Sequence, residues 1–334
     1  MKVMVLGGSG YIGTRLVAML REAGHQVVAA SSRAQPGEGR LRLDTRDGPA
    51  LALALNGCDA VVNAVAGDAG SIATGARLLA AAAGAAGVPR LVHLSTMSVY
   101  GAVEGRVDEA TGPGPVLGWY DRAKREAEQH LVTYLAGGGM AVVLRPGCVW
   151  GPDCELWVGR IGRWLRAGRL GDLGAAGDGW SNLVHVNDVC VAAMRSLEVP
   201  LARGECRAFN LAAPDSPRWN EYFTDLALEI GATPVRRLSP RQLTLDAKVA
   251  GPVLHVMRKL LRKAGRGAGS LPDPVTPGLL GVWQRHLHLD SRAASESLHM
   301  DWTPYPVALQ EAAAWFLQAE GPAPARSRPL PAAS

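Results

Sequence analysis

The stretch Val3-Met4-Val5-Leu6-Gly7-Gly8-Ser9-Gly10-Tyr11-Ile12-Gly13 decides the fold. Its four apolar residues read as a buried strand. The glycines that follow open a helix over Tyr11–Ala23. Gly7, Gly10 and Gly13 stand three apart. Glycine permits a tight turn, close approach of backbone to a pyrophosphate, and close packing of helix on strand. The helix start adds amide donors and a positive dipole end for phosphates. A glycine motif alone is weak evidence, but strand–turn–helix context makes it a dinucleotide fingerprint. It predicts cofactor contacts from Gly7, Ser9, Gly10, Tyr11, Ile12 and Gly13.

Working outward, short strand-like runs at Gln26–Ala30, Ala60–Val65, Arg90–Leu94 and Ala141–Arg145 alternate with helical stretches at Ile72–Ala86 and Tyr120–Tyr134. That rhythm predicts an α/β fold, a Rossmann-type doubly wound parallel sheet covered on both faces. After Gly151 the rhythm breaks. Leu183–Val186 and Ala208–Leu211 read as strands, the latter an edge strand. Trp219–Ile230, Val253–Lys263 and Pro306–Ala319 read as helices. We therefore expect a dinucleotide-binding domain over 1–150 with returning segments near 183–213. A smaller C-terminal substrate-binding lobe is expected from 151–182 and 214–320, and a disordered Pro/Ala/Arg/Ser tail over 321–334. Arg258, Lys259, Arg262 and Lys263 give the segment 248–266 a basic amphipathic pattern, read first as a solvated face.

The end of the second strand reads Ser31-Ser32-Arg33. A carboxylate there suits NAD, whereas serines and an arginine suit a 2′-phosphate. NADP(H) is thus favoured, NAD(H) being the alternative, with Arg15 as a second possible aid. Asp44 sits where a third strand ends and could meet the adenine amino group.

Leu94-Ser95-Thr96-Met97-Ser98-Val99-Tyr100-Gly101 closes a strand with hydroxyls. Downstream, Tyr120-Asp121-Arg122-Ala123-Lys124 puts Tyr120 and Lys124 at i and i+4 on one helix face. With the glycine motif, and with Leu144–Pro152 and Leu183–Val189, these stretches resemble the extended short-chain dehydrogenase/reductase superfamily, in the NAD-dependent epimerase/dehydratase group. The resemblance implies that Tyr120 is the acid/base, that Lys124 lowers its pKa and holds the nicotinamide ribose, and that Thr96 bonds the reacting oxygen. A free tyrosine titrates near about pH 10, and a nearby ammonium plus an oxidised nicotinamide pulls that down towards neutrality. Thr45, Ala64, Val65, Ala66, Lys124, Pro146 and Val149 complete the expected cofactor set. A homodimer is expected by the same resemblance.

Three departures bear on substrate. Ser71 stands where the family often has an active-site Asn. Cys148 and Ser181 stand where sugar-nucleotide enzymes often carry an Asn and an Arg near the diphosphate, although Arg160, Arg163 or Arg166 could substitute. Trp150, Trp157, Trp164 and Trp180 enrich the C-terminal half in aromatics. Ser98, Trp150, Trp157 and Trp180 are therefore the expected substrate contacts, for a small apolar or aromatic molecule. His185 and Asp188 read as a helix cap and an anchor between lobes.

The expected function is an NAD(P)(H)-dependent oxidoreductase acting on a carbonyl or alcohol. The alternatives are a sugar-nucleotide epimerase/dehydratase with recycled NAD, and an NADP-sensing regulatory protein. Net charge of +5 is spread thinly, without the dense basic stripe of a nucleic-acid binder. Five scattered cysteines form no Cys-x-x-Cys pair, which excludes a zinc ribbon, and no metal site is expected. The opening apolar run ends at Gly7, too short for a signal peptide, and no run of about 18 apolar residues appears. A cytoplasmic enzyme without integral membrane contact is the expectation.

Overall fold

The computed structural model describes residues 1–239, Gln242, Met257 and 275–321. Apart from Met257, the basic segment 248–266 lies outside the described residues, and so does the tail beyond Gly321.

Seven strands form one parallel sheet: β1 (Lys2–Leu6), β2 (Gln26–Ser31), β3 (Arg40–Arg42), β4 (Ala60–Asn63), β5 (Arg90–Leu94), β7 (Met140–Pro146) and β10 (Cys206–Leu211), in the order β10-β7-β5-β4-β1-β2-β3. Two small pairs, β6 (Gly105–Val107) with β11 (Leu287–Leu289) and β8 (Cys148–Trp150) with β9 (Leu183–His185), stand apart from it. The central strands are almost continuously apolar because both faces are covered. Alternate residues feed two cores. Val3, Val5, Val62, Val92, Val142 and Leu144 pack with α1 (Tyr11–Glu22) and α7 (Val186–Arg195). Met4, Leu6, Val61, Leu91, Ala141 and Val143 pack with α2 (Gly48–Leu55), α3 (Gly75–Ala85) and α5 (Leu131–Ala136). Strand order reverses at β1, so a crevice opens beyond the carboxyl ends of β1 and β4, where doubly wound sheets bind ligands.

The long helix expected over Tyr120–Tyr134 is two pieces, α4 (Trp119–Gln129) and α5. His130, with ψ of −16°, interrupts them and lets Leu131 and Tyr134 turn into the core. Before α3, Gly70–Thr74 forms one wide π turn. Val186 begins α7 instead of ending a strand.

The chain divides into two compact units. The first is Met1–Val149, Trp180–Ser216 and His286–Tyr305, so β11 returns to it late in the chain. The second contains Trp150–Gly179, Pro217–Arg285 and Pro306 onward. Its described core is aromatic: Trp219 lies among Trp157, Tyr222, Phe223 and Trp283 at ring separations of 5.1–6.5 Å. Among the described residues no helix is long and apolar enough to cross a membrane. No group of three or more His, Cys, Asp or Glu is placed among them to hold a metal ion.

Candidate functional site

In the first unit, a groove of about 280 Å³ lies in the crevice between the ends of β1, β2 and β4. Gly7 follows β1 with φ of +79°, and a Cβ there would sit 2.6 Å from Ala64 O. Gly13 packs the first turn of α1 back onto this loop, where a Cβ would lie 2.1 Å from Gly7 O. The N-cap of α1 is Gly10, so no side-chain oxygen caps this helix start, and Gly10, Tyr11, Ile12 and Gly13 line the groove. A positive helix end with nothing bulky in front of it is suited to phosphate.

Of the expected cofactor residues, the groove gathers the glycine loop, Ser31, Ser32, Arg33, Asp44, Thr45, Ala64, Val65 and Ala66. Pro146 and Val149 do not line it, and neither does Arg15, which donates to Asn187 Oδ1 at 3.3 Å. Ser9 donates to Ser31 Oγ at 2.8 Å across the groove mouth. Sequence reasoning missed Arg46, which also lines the groove. Its guanidinium grips Asp44 from two sides, Nε to Oδ1 at 3.0 Å and Nη2 to Oδ2 at 2.7 Å. These bonds hold the Asp44 carboxyl down at about 2, so it stays ionised. The signal was present as a charged residue two positions past Asp44, but exposed loop charges seldom declare a ligand.

Lys124 is 3% exposed, and its ammonium donates to Leu94 O at 2.8 Å and to Val65 O at 3.5 Å. Val65 ties the ammonium to the groove wall. Burial lowers Lys124 to about 8, with Glu128 opposing. One helical turn earlier stands Tyr120, half-buried, with the Thr96 side chain beside it favouring its ionised form. Its phenol is raised from the ordinary tyrosine value. Burial is the largest cause, Thr96 opposes it, and Asp121 adds to it. Thr96 itself caps the turn Met97–Tyr100, accepting from Ser98 N at 3.3 Å, and its hydroxyl meets Ser98 Oγ at 3.4 Å. Tyr120, Thr96, Lys124 and Ser98 therefore form one cluster at the ends of β5 and α4. Beneath it Glu128 accepts from Ser95 Oγ at 2.5 Å and from Arg145 Nη2 at 2.7 Å.

The expected substrate contacts separate. Trp150 is sealed in the second unit at 1% exposure, edge-on to Tyr222, so it is core and not a lining. Trp157 is half-buried against Trp219 in that unit. Trp180, in the first unit, stacks on the His288 ring at 4.1 Å. Ser71 lines the groove and donates to Asp68. Cys148 is buried, as is Ser181, whose hydroxyl meets Ser216 Oγ at 2.9 Å. Arg163 is engaged by Glu155 and Glu320, Arg160 by the Trp164 ring, and Arg166 by the Phe316 ring. His185 is the N-cap residue of α7 without a side-chain cap, whereas Asp188 accepts from Thr303 N and Oγ1 at 3.0 and 2.7 Å.

The model of the NAD dependent epimerase/dehydratase family matches residues 3–212. The chain is 32% identical to the 2-alkyl-3-oxoalkanoate reductase of Stenotrophomonas maltophilia over 256 residues, 70% of this chain and 76% of that enzyme. It is 28% identical to the dTDP-6-deoxy-L-talose 4-dehydrogenase (NAD(P)(+)) of Kitasatospora kifunensis, covering 97% and 96% of the two chains. The solved structure of MoeE5 in complex with UDP-glucuronic acid and NAD covers 96% of this chain and 100% of its own, with a TM-score of 0.70 and 24% identity. That last likeness bears on the fold alone.

Proposed function

This chain belongs to the NAD dependent epimerase/dehydratase family, and from that premise we propose that it is a ketone reductase drawing its hydride from NADPH. It is an NAD(P)(H)-dependent oxidoreductase of carbonyl and alcohol groups. One observation carries this reading: half-buried Tyr120 stands beside the Thr96 side chain, one turn from the buried ammonium of Lys124.

The groove fits a dinucleotide. The Gly7 turn has no room for a Cβ, and the helix start behind Gly10 has no side-chain cap. Arg33 and Arg46 lie at the end where the second strand closes, which favours a 2′-phosphate and hence NADP(H). A bound nicotinamide supplies or takes the hydride. The chain supplies the rest. The hydroxyls of Thr96 and Tyr120 hold the substrate oxygen. Burial keeps the Tyr120 phenol protonated at neutral pH. It then gives its proton to the carbonyl oxygen as negative charge develops there. Lys124, charged below about pH 8, stabilises the phenolate left behind.

The substrate class is a small apolar or aromatic ketone. The reductase of 2-alkyl-3-oxoalkanoates supports that class by its name, and the burial of Cys148 and Ser181 leaves neither open to a diphosphate. A nucleotide sugar is the second reading, favoured by the end-to-end match with the dTDP-sugar dehydrogenase. The test is NADPH consumption with a 2-alkyl-3-oxoalkanoate beside a dTDP-4-keto sugar. Turnover of the first supports the reading; turnover of the second alone replaces it. Exposed Trp119 on α4 and Val132 on α5 support a homodimer through these helices, testable by sedimentation. The cytoplasm is the location we assign.

A further inference from the structure

Under the groove wall lies a polar pair that the chemistry above does not use. Asn63 closes β4 and His93 is its neighbour in β5, opposite it in the strand register. They are 4% and 2% exposed, beside Val61, Val62, Leu91 and Val92 of the same two strands. Asn63 Nδ2 stands 3.1 Å from His93 Nδ1, and Asn63 Oδ1 accepts from Val65 N at 3.2 Å. The second bond fixes which way the amide points, because flipping it would set Nδ2 against the Val65 N–H. His93 Nδ1 is then the acceptor, so the ring is neutral and its proton sits on Nε2. Burial, helped by the Lys124 charge, pushes His93 down to about 3, which keeps it in that state.

Among the described residues, His93 Nε2 has no hydrogen-bond partner. A buried donor without a partner is a cost to stability. What the pair does touch is the turn that builds the site. Ala64, Val65 and Ala66 line the groove, and Val65 O is one of the two acceptors of the Lys124 ammonium. The other acceptor, Leu94 O, belongs to the residue after His93.

We infer that Asn63 and His93 are a positioning pair, which locks the turn after β4 and so sets both the cofactor wall and the Lys124 ammonium. The inference rests on the dinucleotide reading of the groove. The chain of contacts runs from His93 to Asn63, to the Val65 amide, and through the Val65 carbonyl to Lys124. Without the His93 acceptor, the Asn63 amide loses the bond that orients it, and the turn above it loosens.

The experiment pairs NADPH titration by fluorescence with thermal melting, for wild type, His93→Leu and His93→Gln. His93→Leu is expected to weaken NADPH about ten-fold or more, as misplaced site groups do. Its melting temperature should change little, since the orphaned His93 Nε2 donor goes while the buried Asn63 Nδ2 donor loses its acceptor. His93→Gln keeps an oxygen to accept from Asn63 Nδ2 and should bind NADPH near the wild-type level. Wild-type affinity in His93→Leu overturns the proposal. Equal weakening in both variants overturns it too, and so does an affinity loss in step with a falling melting temperature, which assigns the pair to stability alone. If the wild type binds neither NADPH nor NADH, the dinucleotide reading itself fails, an outcome plainly distinct from a wild type that binds while His93→Leu is unchanged.

Discussion

Replacing Arg33 by Ala should separate the two nicotinamide cofactors. Arg33 is exposed and lines the groove beside Ser31 and Ser32. A charge-assisted hydrogen bond from a guanidinium to a phosphate contributes about 1.5–3 kcal/mol. At about 1.4 kcal/mol per decade, its loss weakens NADPH by about ten- to a hundred-fold. Arg46 differs because Asp44 already holds it. That pair is open to solvent, with side chains 52% and 41% exposed. Water screens an ion pair so exposed, so Arg46 can turn to a phosphate at small cost. Arg46→Ala should therefore weaken NADPH by a smaller factor, about three- to ten-fold. Both arginines address one phosphate, so the double variant should lose less than the product of the two. Fluorescence titration with NADPH and NADH reads all of this. NADH lacks the phosphate and should stay within about two-fold throughout. Equal weakening of both cofactors by Arg33→Ala, or tighter NADH binding in the wild type, refutes the reasoning.

The remaining predictions concern charge and packing. Burial holds Lys124 at about 8, below the ordinary lysine value, so its ammonium persists below that pH and is lost above it. NADPH affinity should hold below about pH 8 and fall as pH rises through it, and the step should vanish in Lys124→Met when Kd is measured across pH. Gly13→Ala drives a Cβ into the Gly7 carbonyl, backbone against backbone, and should cost about 3 kcal/mol in denaturant unfolding. Arg145→Met strands the Glu128 carboxylate in a pair whose side chains are each 16% exposed. It should destabilise by about 3 kcal/mol, whereas the joint change to Met and Gln should recover most of that.

Much of the fold was legible because its signals are local. The apolar runs of β1, β4 and β5, the glycine loop and the i, i+4 pair on α4 each declare themselves within a dozen residues. What escaped depends on partners distant in sequence. Asn63 and His93 meet only once β4 and β5 pair, 30 residues apart. Asn182 fixes β11 through bonds to Leu287 and Leu289 more than a hundred residues away, so nothing local announces the return of His286–Tyr305 to the first unit. Trp150 reads like Trp180 in composition, yet one is core and the other stacks on His288. The burial that raises the Tyr120 phenol, and the bonds of Lys124 to Leu94 O and Val65 O, are not visible in a Tyr-x-x-x-Lys spacing.

The central claim is that Tyr120 delivers the proton while the groove holds the hydride donor. The most direct measurement compares wild type and Tyr120→Phe for NADPH affinity and for single-turnover reduction of a 2-alkyl-3-oxoalkanoate. Loss of one positioned acid should slow reduction by about a hundred-fold or more. NADPH Kd should stay within about two-fold of wild type, because the phenol is not among the groove's lining residues. A Tyr120→Phe variant that reduces the ketone at the wild-type rate would contradict the account.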